Sequence, residues 1–188
     1  SVFISSEPSE VYEKEIPLAI RSEVRDFAIV QYREVYQDMI DEEEILLKNM
    51  EKEYQSLSNE SEKKQKDIKG NEESIRQSED AIRVVEADLE LKNKEIEAKK
   101  LDIAPLKIKD PEAYKIAEKE LNLLEREKKK LENEREKENK NIVTYKNNIK
   151  EAERAIEQLT EQMAIQSQEI ELQEEIIKKL ESELERIL

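Results

Sequence analysis

A heptad repeat through the second half of the chain is the feature that most constrains its fold. Between Tyr114 and Ile187, steps of alternately three and four residues visit 22 positions, of which 17 are apolar, and the register never shifts. Apolar residues that recur every 3.5 residues form one stripe on an α-helix, and about ten heptads in succession are typical of a coiled coil. The pattern predicts a single long helix with one buried stripe, called the seam below.

A second and weaker seam occupies residues 47–103. It visits 17 positions, of which 11 are apolar, in constant register. Ala104-Pro105 predicts the end of a helix, because a residue before proline avoids the α conformation. Asp110-Pro111 predicts the start of the next helix, with Asp as the cap and Pro in the first turn. The heptad phase changes between the two seams, so we expect the chain to reverse direction there.

Composition supports a fold made of very few elements. The 188 residues include 43% charged residues, one glycine and four prolines, which is too little turn-forming material for a compact globule. High charge also raises the alternative of disorder, which the sustained heptads disfavour. We predict an all-α fold, a long antiparallel coiled-coil hairpin of two helices of roughly 75–85 residues, with a broader helical-bundle base where the two ends of the chain meet.

The predicted segments follow from these boundaries. Residues 1–16 form a leader or a short extra helix, 17–103 the first long helix, 104–110 the hairpin tip and 111–188 the second long helix. The first helix divides into a wide apolar base, 17–46, and a coiled-coil arm, 47–103. The residues assigned to the tip are Pro105, Leu106, Asp110 and Pro111.

An elbow is a further interpretation of the arm. Gly70 is the only glycine in the chain and costs about 1 kcal/mol in a helix interior relative to alanine. The hairpin places it level with a segment rich in asparagine, and the elbow would comprise Gly70, Asn71, Ile142 and Val143. The alternative is that the two segments are unrelated soft spots.

Folding the chain at about residue 106 makes the two seams face each other. Residues whose numbers add up to 213 would then be partners, for example Ser61 with Ala152 and Ser78 with Arg135. Slides by one heptad, to 206 or 220, stay open. A parallel homodimer would set each charged seam residue against its own copy, at a cost in stability. In the hairpin, seam lysines would cover apolar partners with their aliphatic stems. Such charged seam residues include Lys92, Lys99, Lys128, Arg135 and Glu138.

The base carries more apolar residues than one seam can bury. A wide apolar face needs more than one neighbouring helix, and a large exposed patch marks an interaction site. A second copy of the chain is the preferred occupant; residues 1–16 folded back, or a further domain, are the alternatives. The predicted interaction residues are Ile20, Val24, Phe27, Val30, Tyr32, Val35, Tyr36, Ile165, Leu172, Ile176 and Leu188.

Residue types that are missing narrow the range of functions. The chain has no cysteine, histidine or tryptophan, which excludes disulfides, thiol or histidine catalysis and Cys/His metal sites. We therefore expect no catalytic residue, no metal, no cofactor and no small-molecule substrate. The net charge of −15 disfavours nucleic acid and anionic membranes as partners. Without a signal peptide or an apolar span, a cytoplasmic location is the default expectation.

These observations predict a non-enzymatic structural or scaffolding protein that spaces or tethers partner proteins and self-associates through its base. One alternative is a BAR-like membrane-associated dimer, although the acidity of the chain disfavours it. The Glu- and Lys-rich arm also resembles the coiled-coil arms of SMC-type proteins. That resemblance implies the excised arm of a larger SMC-type or cytoskeletal or motor assembly protein. An excised fragment is also what the beginning at Ser1 and the end at Leu188 in mid-heptad lead us to expect.

Overall fold

The fold is all-α, as the sequence predicts. The computed structural model describes residues 18–187, without the side chain of Ala19, and within this range there is no β-strand. Helix α1 spans Leu18–Ile103 (86 residues), α2 spans Leu106–Lys109 (4 residues) and α3 spans Pro111–Ile187 (77 residues). The leader predicted at 1–16, together with Pro17 and the interaction residue Leu188, lies outside the described residues.

The helix ends follow from local chemistry. At the end of α1, the Ala104 amide donates to the Lys100 carbonyl at 3.2 Å, and helix α2 begins directly after Pro105. Asp110 then separates α2 from α3. Its carboxylate accepts a hydrogen bond from the Ala113 amide at 3.2 Å, and Pro111 occupies the first position of α3. This is the capping arrangement that the Asp-Pro pair predicts, since proline needs no acceptor in the first turn.

The described chain divides into two compact units. Unit 1 contains residues 18–59 and 161–187, and unit 2 contains Glu60–Thr160. In each unit a stretch of α1 packs beside a stretch of α3, because each helix has one apolar seam to bury.

The core of unit 2 is a narrow line of seam residues. It combines aliphatic side chains with alanines and serines, and no described side chain in either unit is less than 2% exposed. Two helices alone shield only the seam between them, so the core stays one residue wide. The buried seam residues of unit 2 are Ser61, Ser78, Val85, Leu89, Ile96, Ile103, Ala117, Ala152 and Leu159.

The core of unit 1 is more polar. Ile40 of α1 and Ile177 of α3 are its buried apolar residues among those described, and Gln166 and Gln173 are buried beside them. An amide buried in a seam must find hydrogen-bond partners, because leaving it unpaired costs free energy. The partners of these two glutamines connect α3 to α1, as described next.

Candidate functional site

Two seam lysines link the helices of unit 2 through carboxylates. Lys92 Nζ donates to Glu127 Oε2 at 2.6 Å and to Glu95 Oε2 at 3.3 Å, and Lys99 Nζ pairs with Glu120 in the same way. The hydrogen bond to Glu127 is the main reason that the pKa of Lys92 lies above its ordinary value; partial burial opposes it and Glu95 adds to it. Both lysines are thus paired with α3, and Lys92 is paired with Glu95 of α1 as well.

These ion pairs add to one prediction. The sequence predicts that the stems of Lys92 and Lys99 cover apolar partners, and the structure shows both ammonium groups paired with glutamates beside the α3 seam. The signal was present in the spacing, because the two lysines are seven residues apart and so are Glu120 and Glu127. The same Lys–Glu ion pair thus occurs twice, one heptad apart on each helix.

The predicted elbow contains a polar contact rather than a break. Asn71 Nδ2 donates to the Asp67 carbonyl at 2.7 Å, and Asn148 Nδ2 donates to Asn71 Oδ1 at 3.3 Å. Helix α1 continues through Gly70, whose φ is not positive. The structure therefore brings Asn71 to Asn148; Ile142 is half-buried and Val143 is exposed. Bending at this level stays a prediction.

Two glutamines link the helices of unit 1. Gln166 Nε2 donates to the Met50 carbonyl at 3.0 Å, and Gln173 Nε2 donates to the Glu43 carbonyl at 2.9 Å. Gln173 also contacts the Glu43 carboxylate. The two glutamines are 7% and 5% exposed, so these bonds satisfy amide groups that water barely reaches. Glutamine side chains at the seam thus help to hold α3 against α1.

The observed pairs can be compared with the predicted alignment of the two seams. The numbers of the paired residues add up to 216 for Met50–Gln166 and for Glu43–Gln173. In unit 2 they add up to 219 for Asn71–Asn148, Lys92–Glu127 and Lys99–Glu120. The sum of 213 was predicted for seam residues at equal level, whereas Asn148, Glu127 and Glu120 lie beside the seam. The alignment to within one heptad therefore stays a prediction. A heptad pattern fixes the buried face of a helix and leaves the sliding of one helix along the other to such specific contacts.

The described apolar residues that were predicted as an interaction surface lie in unit 1. Tyr36 is half-buried, and the other described members are exposed. Four further exposed apolar residues of α1 in unit 1 were missed: Leu18, Met39, Ile45 and Leu46. Their signal is that they lie off the seam in a stretch where polar residues are expected. The predicted members that are exposed are Ile20, Val24, Phe27, Val30, Tyr32, Val35, Ile165, Leu172 and Ile176.

The chemistry of this surface favours protein contact. No cluster of three or more acidic side chains that could hold a metal ion occurs within residues 18–187. None of the described helices has an apolar stretch sufficient to cross a membrane. Removing exposed aliphatic and aromatic side chains from water by contact with another apolar surface is favourable in free energy.

Comparison with protein-family models, with curated proteins and with solved structures finds no match to this chain.

Proposed function

We propose that the protein is a non-enzymatic structural protein, an antiparallel coiled-coil hairpin that spaces or tethers partner proteins and self-associates through the apolar surface of unit 1. The observation that carries the proposal is the ordered set of contacts between α1 and α3. In unit 2, as the α1 residue moves from Asn71 to Lys99, its α3 partner moves back from Asn148 to Glu120. Unit 1 has the same order for its two glutamines.

Helix geometry supports the antiparallel arrangement. Side chains on an α-helix lean toward its N-terminus, so the side chains of two oppositely directed helices lean toward each other. When two such side chains meet, the backbone of each residue lies farther along its own helix than the point of contact. The numbers of the two contacting residues therefore add up to more than those of two residues whose backbones are at equal level. The observed sums of 216 and 219 exceed the predicted 213 in this direction.

The scaffolding role follows from what such a hairpin offers. Its seam is satisfied within the chain, and the grooves that line the two helices within residues 18–187 are open to solvent. A surface that is apolar and exposed over one unit is suited to binding another protein. Spacing and self-association are therefore the functions that this arrangement supports best.

Thiol crosslinking tests the hairpin directly, because the chain has no cysteine of its own. Asn71→Cys/Asn148→Cys replaces two side chains that touch, and a short bifunctional thiol reagent should join them within one chain. The matched control, Asn71→Cys/Glu134→Cys, moves the second thiol by two heptads, about 21 Å along the helix. Monomer-sized crosslinked protein for the first pair only is expected. Crosslinks solely between chains, or equal yields for both pairs, would contradict the hairpin.

A further inference from the structure

One flank of the helix pair can be identified from unit 2. We letter the positions of each heptad a to g, with Leu47 and Tyr114 as a positions, so that the seam consists of the a and d positions. Positions c and g then lie on one side of the seam, and positions b and e lie on the other. A groove in unit 2 is lined only by c, d and g positions of both helices, which therefore share one flank. Its lining residues are Asp88, Leu91, Lys92, Glu95, Glu127, Lys130, Leu131 and Glu134.

The same flank of unit 1 is apolar. Its seam contacts use d positions on both helices, as those of Met50 and Gln166 illustrate. The c and g positions of unit 1 therefore share a flank, as they do in unit 2. Within residues 28–53 and 162–186, seven large apolar residues occupy it, and each is between 42% and 61% exposed. They are Tyr32, Val35, Met39, Leu46, Ile165, Leu172 and Ile176.

The opposite flank of unit 1 is acidic. Over residues 28–53 and 162–186, the b and e positions carry eight carboxylates and two lysines, a net charge of −6. Over the same residues, the c and g positions carry four carboxylates and two basic groups, a net charge of −2. Two chains with a net charge of −15 each repel one another, and least so where the approaching surfaces are nearly neutral. The c/g flank is the side on which a second copy can approach.

The exposed area fits an interface between copies. From their fractional exposures, the seven residues present roughly 700 Å² on each chain, close to the ~800 Å² per partner of a stable protein interface. Both helices contribute to the flank, so two copies can pack face to face as four helices. Each helix pair then covers the wide apolar face of the other, which a single helix pair leaves exposed.

We propose that the c/g flank of unit 1 binds the same flank of a second copy of this chain in an isologous dimer. This inference rests on the self-association in the proposed function and assigns it to one flank. The apolar residues at b, e and f positions, such as Phe27 and Ile45, stay outside the interface.

The test compares charges placed on neighbouring residues. Leu46→Glu/Leu172→Glu puts two carboxylates on the c/g flank, and Ile45→Glu/Gln168→Glu puts the same two on f positions, which face away from it. All four side chains are exposed, so both variants should keep the helix content of the wild type, checked by circular dichroism. A neutral pair, Leu46→Gln/Leu172→Gln, separates loss of apolar contact from charge repulsion.

Sedimentation equilibrium in 150 mM salt measures the outcome. The wild type should have twice the 22.2 kDa mass of one chain. The Glu pair on the flank should raise the dimer dissociation constant at least 10-fold, the Gln pair should raise it less, and the f-position pair should leave it unchanged. A monomeric wild type overturns the inference, and so does equal weakening by both Glu pairs. The crosslink within one chain is independent of these results, so failure of the hairpin is distinguishable from failure of the flank assignment.

Discussion

Two leucines of α1 allow the buried face of the helix to be tested with one substitution. Leu89 is 5% exposed at the seam of unit 2, and Leu91, two residues later, is 59% exposed. Replacing each by alanine removes the same three carbon atoms from the same helix. The difference between the two variants therefore measures burial rather than helix propensity, which hardly distinguishes leucine from alanine.

The expected magnitudes follow from the exposures. At ~0.8 kcal/mol per buried methylene, Leu89→Ala loses about 2.4 kcal/mol of transfer free energy, and any cavity adds to this. Neighbouring side chains border solvent and can close part of the cavity, so we expect a total of about 2–3 kcal/mol. For Leu91→Ala, with less than half of the side chain buried, we expect less than about 1 kcal/mol.

Urea unfolding followed by circular dichroism at 222 nm gives both free energies of unfolding, at one protein concentration because association would shift them. The slopes with urea should match that of the wild type, so that midpoints report stability alone. If Leu91→Ala were as destabilising as Leu89→Ala, the seam would not be the face that α1 buries in unit 2, and the packing described here would be wrong.

Three further variants probe single interactions in unit 2. Gly70→Ala should raise the free energy of unfolding by up to about 1 kcal/mol, because the added Cβ meets nothing within 4 Å; an equal or lower urea midpoint would contradict this. Asp110→Ala should cost about 1 kcal/mol through loss of the cap, whereas Asp102→Ala, in the last turn of α1, should not destabilise. Lys92→Met tests linkage to pH: a raised pKa stabilises the folded state at lower pH, and this contribution is lost as pH rises through that pKa. Urea titrations should show the wild type losing stability relative to this variant above pH ~10.4, and a constant difference from pH 8 to 11 would refute the coupling to Glu127.

The helix boundaries were predictable because local chemistry sets them. Proline after Ala104 disfavours the α conformation of that residue, and Asp110 with Pro111 supplies a cap and a first turn, whatever the rest of the chain does. The apolar seam was predictable for the same reason, since the period of an α-helix determines which residues share a face.

The alignment of the two helices was not predictable from the heptads. A seam presents an equivalent apolar face every seven residues. The pattern alone therefore leaves several alignments, in which one helix is shifted along the other by whole heptads, nearly equal in energy. Gln166 does little to choose among them, because its acceptor is a backbone carbonyl that each heptad offers. Gln173 also contacts the carboxylate of Glu43, a partner that a slide would remove. The ion pair of Lys92 is specific in the same way.

The sequence predicted which residues form the interaction surface but did not divide them between the two flanks of the helix pair. Tyr32 and Leu172 were identified because they are apolar and off the seam, and so was Phe27, which lies on the other flank. Hydrophobicity alone does not separate these positions. Heptad letters do, once the contacts of unit 2 show which letters of the two helices share a groove. Apolar residues at the c and g positions of both helices can then be assigned to one surface.

Charge and apolarity act together on unit 1 to select how copies could meet. Apolar contact alone would favour any exposed hydrophobic side chain, including Phe27 on the b/e side. On that side, however, the net charge of −6 on each copy would be brought close to its equivalent, at a cost that grows as water is excluded. On the c/g side, the apolar gain carries a much smaller repulsion. Raising the salt concentration should therefore strengthen the proposed dimer only modestly, because little charge lies at its interface to be screened.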